Sequence, residues 1–354
     1  MNDSALQLAA LATAAIPGLN VVDTYNATVS HDDTVATGLV SVGGDRLVVL
    51  LPQTEVAGEN LDRHARLLVN LDRRHRVGGL PFAVPVPIGA QKLPDGRRAI
   101  VYRDLPGRQL ETSEVRRHTA EIADVLAAIH GLPTRLIEQA ELLSASASDL
   151  RKEAFSQLNQ AKRHYPFRPV LLNHLNRGLE NDSLWDFDPT VIHGNLDADS
   201  FRVDGGSLVG VGDFNSMRVS DPARDFVWMM DVLSDKQIDG LLTRYAAKVG
   251  RQDDSLGERI SFWTEFGIVE WLLYGVERDD ADICSEAVEM LDYLEAAVAE
   301  EHTAAGETRY RDESRSGGTR RGDAGFGGHR PGSFNPDSDD TQTEAISTQP
   351  TLLN

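Results

Sequence analysis

One cysteine, Cys284, is all the thiol this chain of 354 residues carries. That excludes an internal disulfide and any cysteine-rich metal site, and it suits a reducing, cytoplasmic compartment. Uninterrupted apolar runs are also missing. None approaches the roughly 20 residues of a membrane-spanning helix. Positive charge is scarce: 35 Lys and Arg stand against 55 Asp and Glu, a formal net charge of −20. A surface of that sign repels nucleic acid and anionic lipid, so neither is an expected partner. The opening segment MNDSALQLAALATAAIPG has no basic residue ahead of its apolar stretch. It therefore reads as an amphipathic first helix closed by Pro17-Gly18 rather than as a signal peptide.

What is present is a hydrophobic content of 41%, enough for a sizeable core and one or two domains. TVATGLVSVGG and DRLVVLLP read as strands joined at Gly43-Gly44. ENLDRHARLLVNLDRRHR, residues 59–76, has helical periodicity, with Leu61, Ala65, Leu68 and Leu71 on one face. Two further extended segments flank the turn Pro94-Asp95-Gly96. The pattern predicts a small mixed lobe of about five strands with one inserted helix. Helices dominate from Glu111, interrupted by short strands around residues 190–214. The segment FWTEFGIVEWLLYGV is apolar nearly all round, as a buried helix is. From Thr303 the chain turns rich in Gly, Ser, Arg, Asp and Pro, the composition of a disordered tail.

The stretch VIHGNLDADSF, followed closely by VGVGDFN, carries the chemistry. A strand ending in His-Gly, a polar loop, a hairpin and then Asp-Phe resemble the aminoglycoside phosphotransferase family, small-molecule kinases that share the protein-kinase fold. AIVYRDLPGRQL resembles that family's hinge between lobes, LAAIHGLP its helix end, and SDPARDFVWM its Asp-Pro-x-x-Asp helix start. The resemblance spans about residues 4–300. It implies an α+β, two-lobed protein-kinase-like fold. The expected division is a β-rich nucleotide lobe over 1–103, a helical lobe over 104–302 and the tail over 303–354.

The same resemblance implies a site that uses ATP and magnesium. The family writes its loop His-Gly-Asp, four residues, Asn; here the base position falls on Asn195 and the metal-binding amide on Ser200. Asp213 matches the second metal ligand, and the hinge Tyr102, Arg103, Asp104 and Leu105 would hold the nucleotide through backbone groups. The family's phosphate-binding Lys or Arg falls on Leu50, in VVLLPQ, and its Glu partner on His64, in DRHAR. An Asn amide orients a hydroxyl but takes no proton, and a Ser hydroxyl is a poor magnesium ligand. Asp197 and Asp199 flank the loop in a different register, and only Asp199 is placed to reach a metal. His193 is read as a structural histidine that bonds backbone carbonyls, and Asp221 and Asp225 as helix cap and loop anchor. Glu265, Glu270, Glu277, Asp279 and Asp280 are either a cationic-substrate surface or a solvated face, and Trp263, Trp271 and Tyr274 either core or an aromatic cage.

The leading expectation is thus a degenerate, pseudokinase-like member with weak or no transferase activity, acting by binding a nucleotide, a small molecule or a partner. The alternative is an active ATP-dependent small-molecule phosphotransferase with an atypical site. A third possibility is an adaptor centred on the tail. There Thr343, beside Thr341 and Thr348, lies in a phosphothreonine-like motif with Ile346 three residues on.

Overall fold

The helix foreseen at the N-terminus forms over Asp3–Ala15 (α1) and stops just short of Pro17. The computed structural model describes residues 3–27 and 33–316, so Thr341, Thr343 and Thr348 lie outside the described residues. The chain divides into two compact units, Met1–Ala147 with Phe187–Asp254, and Ser148–Asp186 with Ser255–Asn354.

In the first unit α1 covers a five-stranded antiparallel sheet. Its strands are β1 (Val21–Tyr25), β2 (Thr34–Ser41), β3 (Arg46–Pro52), β4 (Val86–Lys92) and β5 (Arg98–Arg103), in the order β1-β2-β3-β5-β4. Leu8 and Ala12 of α1 pack on Leu39, Leu47, Val49 and Val101, the alternate aliphatic residues of three strands. This is the alternation a half-covered antiparallel sheet requires. Helix α2, Glu55–Arg76, begins one turn earlier than its apolar stripe suggests. The reason is a cap: Thr54 Oγ1 accepts the Ala57 N–H at 3.2 Å and satisfies an otherwise orphaned donor. The turn at Pro94-Asp95-Gly96 closes β4 onto β5, with Leu93 N–H donating to Arg97 O at 2.8 Å.

Beyond β5 the unit adds a three-stranded sheet, β6 (Arg108–Gln109), β8 (Phe201–Asp204) and β9 (Ser207–Val211), in the order β6-β8-β9. A two-stranded pair joins β7 (Thr190–Ile192) to β10 (Arg218–Ser220). The helical stretch that begins after Glu111 and ends at LAAIHGLP is divided: a 3-10 stretch covers Thr112–Arg117 and α3 covers Thr119–His130. A short α4, Arg135–Gln139, follows. The segment Pro222–Met229 is also 3-10 rather than α, capped by the Asp221 carboxylate on the Ala223 N–H at 2.9 Å. Helix α7, Asp235–Val249, packs with α3.

The second unit holds α5 (Ala147–Ala161), α6 (Pro169–Glu180), α8 (Leu256–Glu277) and α9 (Ala281–Ser316). Trp263 is core, 2% exposed, with the Trp185 ring edge-on to it at 5.7 Å. Trp271 stacks on Tyr274 at 5.3 Å, and the chain's own Arg278 guanidinium sits 4.6 Å over the Tyr274 ring. Glu265 pairs with His174 at 2.6 Å, and Asp280 caps α9 by accepting the Asp282 and Ile283 N–H groups. These residues therefore have structural partners. Among the described residues no helix is long and apolar enough to cross a membrane.

Every buried residue of α9 among those described lies at or before Val298. A chain ending at Thr303 is therefore expected to keep its melting temperature within about 2–4 °C, the equivalent of roughly 1 kcal/mol in a domain of this size. A larger loss in a thermal scan would show that the removed segment contributes to the core.

Candidate active site

The loop after β7 is held by one buried carboxylate. Asp225, 1% exposed, accepts the His193 N–H through Oδ2 and the Gly194 N–H through Oδ1, each at 2.8 Å. His130 donates its Nε2–H to Oδ2 at 3.1 Å, and its Nδ1 meets Tyr245 Oη at 2.8 Å. Burial alone would raise the Asp225 carboxyl. The His130 hydrogen bond, the histidine charges and the Gly194 N–H outweigh it and hold the group below the ordinary carboxylate range. His193 donates Nε2–H to Gly212 O at 2.8 Å, and its complete burial pushes the imidazole down, toward the neutral form. It ties the loop to the residue before Asp213, the structural task read from the sequence.

Gly194 has φ +85°, and a Cβ on it would collide with Ser216 O. Gly194→Ala therefore combines backbone strain with a steric clash. It should cost about 1–3 kcal/mol or more, visible as a lower melting temperature. A neutral result would mean that the loop relaxes freely.

The next residues form a closed local network. Asp197 is the N-cap of a short 3-10 turn over Ala198–Ser200, and its Oδ1 accepts both Ser200 N–H at 2.8 Å and Ser200 Oγ–H at 2.9 Å. Ser200 Oγ in turn accepts the Asp197 N–H at 3.2 Å. This is a capping box, and it commits the Ser200 hydroxyl to the loop itself. Asn195 is half-buried within the same loop. Burial and the Asp197 charge push the Asp199 carboxyl above its ordinary range.

A cavity of about 450 Å³ gathers the other expected residues: Leu50, His64, Tyr102–Leu105 and Asp213 all line it, whereas Asn195 and Ser200 do not. Leu50 is 3% exposed on β3, opposite Ile100 of β5. His64 donates Nδ1–H to Asn60 O at 2.8 Å, and burial pushes its imidazole down toward neutrality. Neither residue brings a charge to the cavity. Asp213 follows β9 in the left-handed conformation, φ +59°. At the hinge two backbone donors are already committed: Asp104 N–H bonds Arg46 O at 3.0 Å, and Leu105 N–H bonds Asp104 Oδ1 at 2.8 Å.

Among the cavity residues that escaped the sequence reading, Tyr25, Arg46 and Arg202 carry polar chemistry. Tyr25 Oη donates to Asp104 Oδ2 at 2.7 Å and lies under the Arg46 guanidinium, 3.7 Å from its ring centre. The ring crosses Gly38, where a Cβ would collide with it. Arg202 offered the one usable signal, a cation inside the apolar strand SFRVDG directly after the loop.

The donor set fits magnesium poorly. Magnesium takes oxygen ligands, carboxylates foremost, together with substrate phosphates. Asp213 supplies one such carboxylate, while Ser200 is spent on Asp197.

Comparison with known proteins bears on the family and the fold. The model of the phosphotransferase enzyme family matches residues 29–260. An uncharacterized protein of Bacillus subtilis (strain 168), YcbJ, is 26% identical over 141 residues, 40% of this chain and 46% of that protein, so the match spans less than half of the relative's length. Among solved structures, a macrolide 2′-phosphotransferase of type I superposes with TM-score 0.69 at 23% identity, covering 82% of this chain and 98% of that one. The GDP complex of aminoglycoside 2′-phosphotransferase-IIIa gives 0.68 at 19%, covering 83% and 99%. At such identities these likenesses establish the fold, which is protein-kinase-like α+β. With the family model matching well over half of its length, the chain belongs to the phosphotransferase enzyme family.

Proposed function

We infer that this protein is a degenerate phosphotransferase, one that keeps the family's cleft, has weak or no transferase activity and acts by binding a small molecule, a nucleotide or a partner. One observation carries the reading. Of the positions that handle charge in the family, only Asp213 still holds a charged group, while Asn195, Ser200, Leu50 and His64 hold neutral ones. Phosphoryl transfer depends on positioning and on charge placed against the phosphates, with a base or orienting group on the acceptor hydroxyl. Asn195 supplies orientation without proton acceptance. Ser200, locked to Asp197, supports the reading from the metal side. The single Cys284 suits a reducing, cytoplasmic setting for such a protein.

The direct test is magnesium-dependent ATP turnover, with hydroxylated acceptors present, by the wild type and by Asp213→Ala. The two are expected to coincide. Turnover by the wild type far above that blank would instead establish an active ATP-dependent small-molecule kinase with an atypical site.

A binding measurement accompanies it. With Leu50 in place of a cation, ATP forgoes a charge-assisted contact of about 1.5–3 kcal/mol, tenfold or more in affinity. ATP should therefore raise the melting temperature little, and magnesium should add little to that rise. A large, strictly magnesium-dependent shift would contradict the poor donor set.

A further inference from the structure

We propose that the hinge end of this cavity is a binding site for the anionic head, carboxylate or phosphate, of a small organic molecule, held by Arg202 and Arg46 with Tyr102 as a further donor, and not a site for a purine base. The inference rests on the degenerate reading of the cleft and names what it would bind.

Charge placement is the first support. In a chain of net charge −20, this cavity is lined by four arginines, at 46, 103, 108 and 202, against two aspartates, at 104 and 213; Arg108 is held by Glu114, which leaves three that Glu114 does not answer. The cations cluster with the hinge, while the positions that would meet the phosphates of a nucleotide, Leu50 and His64, are neutral. A nucleotide laid in the family manner would set its uncharged base among guanidinium groups and its phosphates against a leucine.

The hinge itself is the second. A purine edge is read by backbone donors and acceptors, yet Leu105 N–H is capped by the side chain of the residue before it and Asp104 N–H is taken by Arg46 O. Asp104 is itself well engaged, accepting from Tyr25 Oη, Leu105 N–H and Arg46 Nε, the last at 3.4 Å. Its carboxylate is fixed and largely answered by Arg46. It is a poor sole counterion for a second guanidinium.

That second guanidinium is Arg202. It lies on β8 at the cavity wall, with a single described hydrogen bond, Nη1 to Asp199 O at 2.8 Å. Most of its donor fork thus has no described acceptor, and burial pushes the group below its ordinary value against the attraction of Asp104 and Asp199. A partly buried cation without a bidentate carboxylate is costly unless something anionic completes it. Tyr102 adds an independent pointer, though the Asp62 carboxylate also acts on it: its side chain lines the same cavity, is 4% exposed, and its hydroxyl has no hydrogen-bond partner among the described residues. A buried hydroxyl of that kind is itself expensive, and a polar atom of a ligand would satisfy it.

The test is thermal stabilisation and calorimetric titration of the full-length protein with four probes: inorganic phosphate, 3-phosphoglycerate, succinate and adenosine. At least one of the three anions is expected to bind and stabilise, and adenosine to do neither. Binding by 3-phosphoglycerate and phosphate alone would identify a phosphate head, binding by succinate a carboxylate head. Arg202→Leu should weaken the bound anion by about tenfold or more, the usual worth of a charge-assisted hydrogen bond. Tyr102→Phe, which removes only a hydroxyl without a described partner, should fold normally and weaken it by a smaller factor, so the idea stays testable even if Arg202→Leu does not fold. Absence of binding by all three anions, anion binding unchanged in both variants, or tight binding of adenosine each overturns the proposal. None of these outcomes bears on ATP turnover, by which the degenerate reading is judged separately.

Discussion

Asn195→Asp alone is expected to leave phosphoryl transfer at the wild-type level, while Asn195→Asp, Ser200→Asn, Leu50→Lys and His64→Glu together are expected to raise it above the Asp213→Ala blank, with ATP held through its phosphates rather than through the capped hinge. A general base is worth about 10²–10⁴-fold, so restoring the carboxylate looks sufficient at first sight. It is not, because a base accelerates only a nucleotide that is already positioned, and Leu50 and His64 leave the phosphates without a cation. Ser200→Asn carries its own structural change, since it breaks the hydroxyl's exchange with Asp197 and leaves that carboxylate only the backbone N–H of residue 200. Leu50→Lys alone should destabilise the protein, for it places an ammonium where the side chain is now 3% exposed and the neighbouring His64 is neutral. His64→Glu supplies the counter-charge, so the double variant should melt above Leu50→Lys alone. The effects are therefore far from additive, as expected of residues that work as one unit. ATP turnover and melting temperature measured on each single variant and on the combination decide the matter. Activity restored by Asn195→Asp alone would mean that the rest of the site was intact all along.

Much of this arrangement was legible in the sequence, for identifiable reasons. The strands of the small sheet alternate because one face meets α1, and α8 is apolar all round because it is buried; both patterns are local and periodic. Asp225 was readable as a loop anchor from its spacing after Asp221-Pro222. The Asp197–Ser200 box is equally local, an Asp three residues before a Ser, but so short a turn leaves no hydrophobic period to mark it. The start of α2 was missed by a turn because Thr54 acts through its side chain and leaves no trace in the hydrophobic period. The arginine-rich end of the cavity was legible only at Arg202, a cation inside an apolar strand. Tyr25, Arg46 and Arg202 come from β1, β3 and β8, three strands far apart in the chain, and the first two each read alone as an ordinary polar residue at a strand end or face. Only the folded arrangement shows that the hinge donors are capped.

The largest loss of stability is expected from Asp225→Asn. The carboxylate accepts two backbone N–H groups and the His130 Nε2–H while wholly buried. An amide of the same shape turns one acceptor into a donor that faces another donor, and breaking a buried pair in this way costs about 3–5 kcal/mol. For a protein of this size that is on the order of 10 °C in melting temperature. The effect has a definite pH signature. The folded pKa of Asp225 lies below that of an unfolded aspartate, so the unfolded chain takes up the proton first as pH falls. The stability that Asp225 supplies is thus fully present above the unfolded value, about 3.9, and is lost as pH drops from there through the folded pKa. His130 and His193 face the carboxylate and strengthen this hold, while its burial opposes it. Thermal scans of the wild type and Asp225→Asn between pH 7 and pH 3 should therefore show a wide gap in melting temperature near neutrality that narrows on the acid side. Other carboxylates titrate in the same range, but they are common to both proteins and cancel in the difference. Curves that stay parallel throughout would mean that Asp225 does not hold its proton affinity below the ordinary range, and that the loop carrying His193 and Gly194 is anchored by something else.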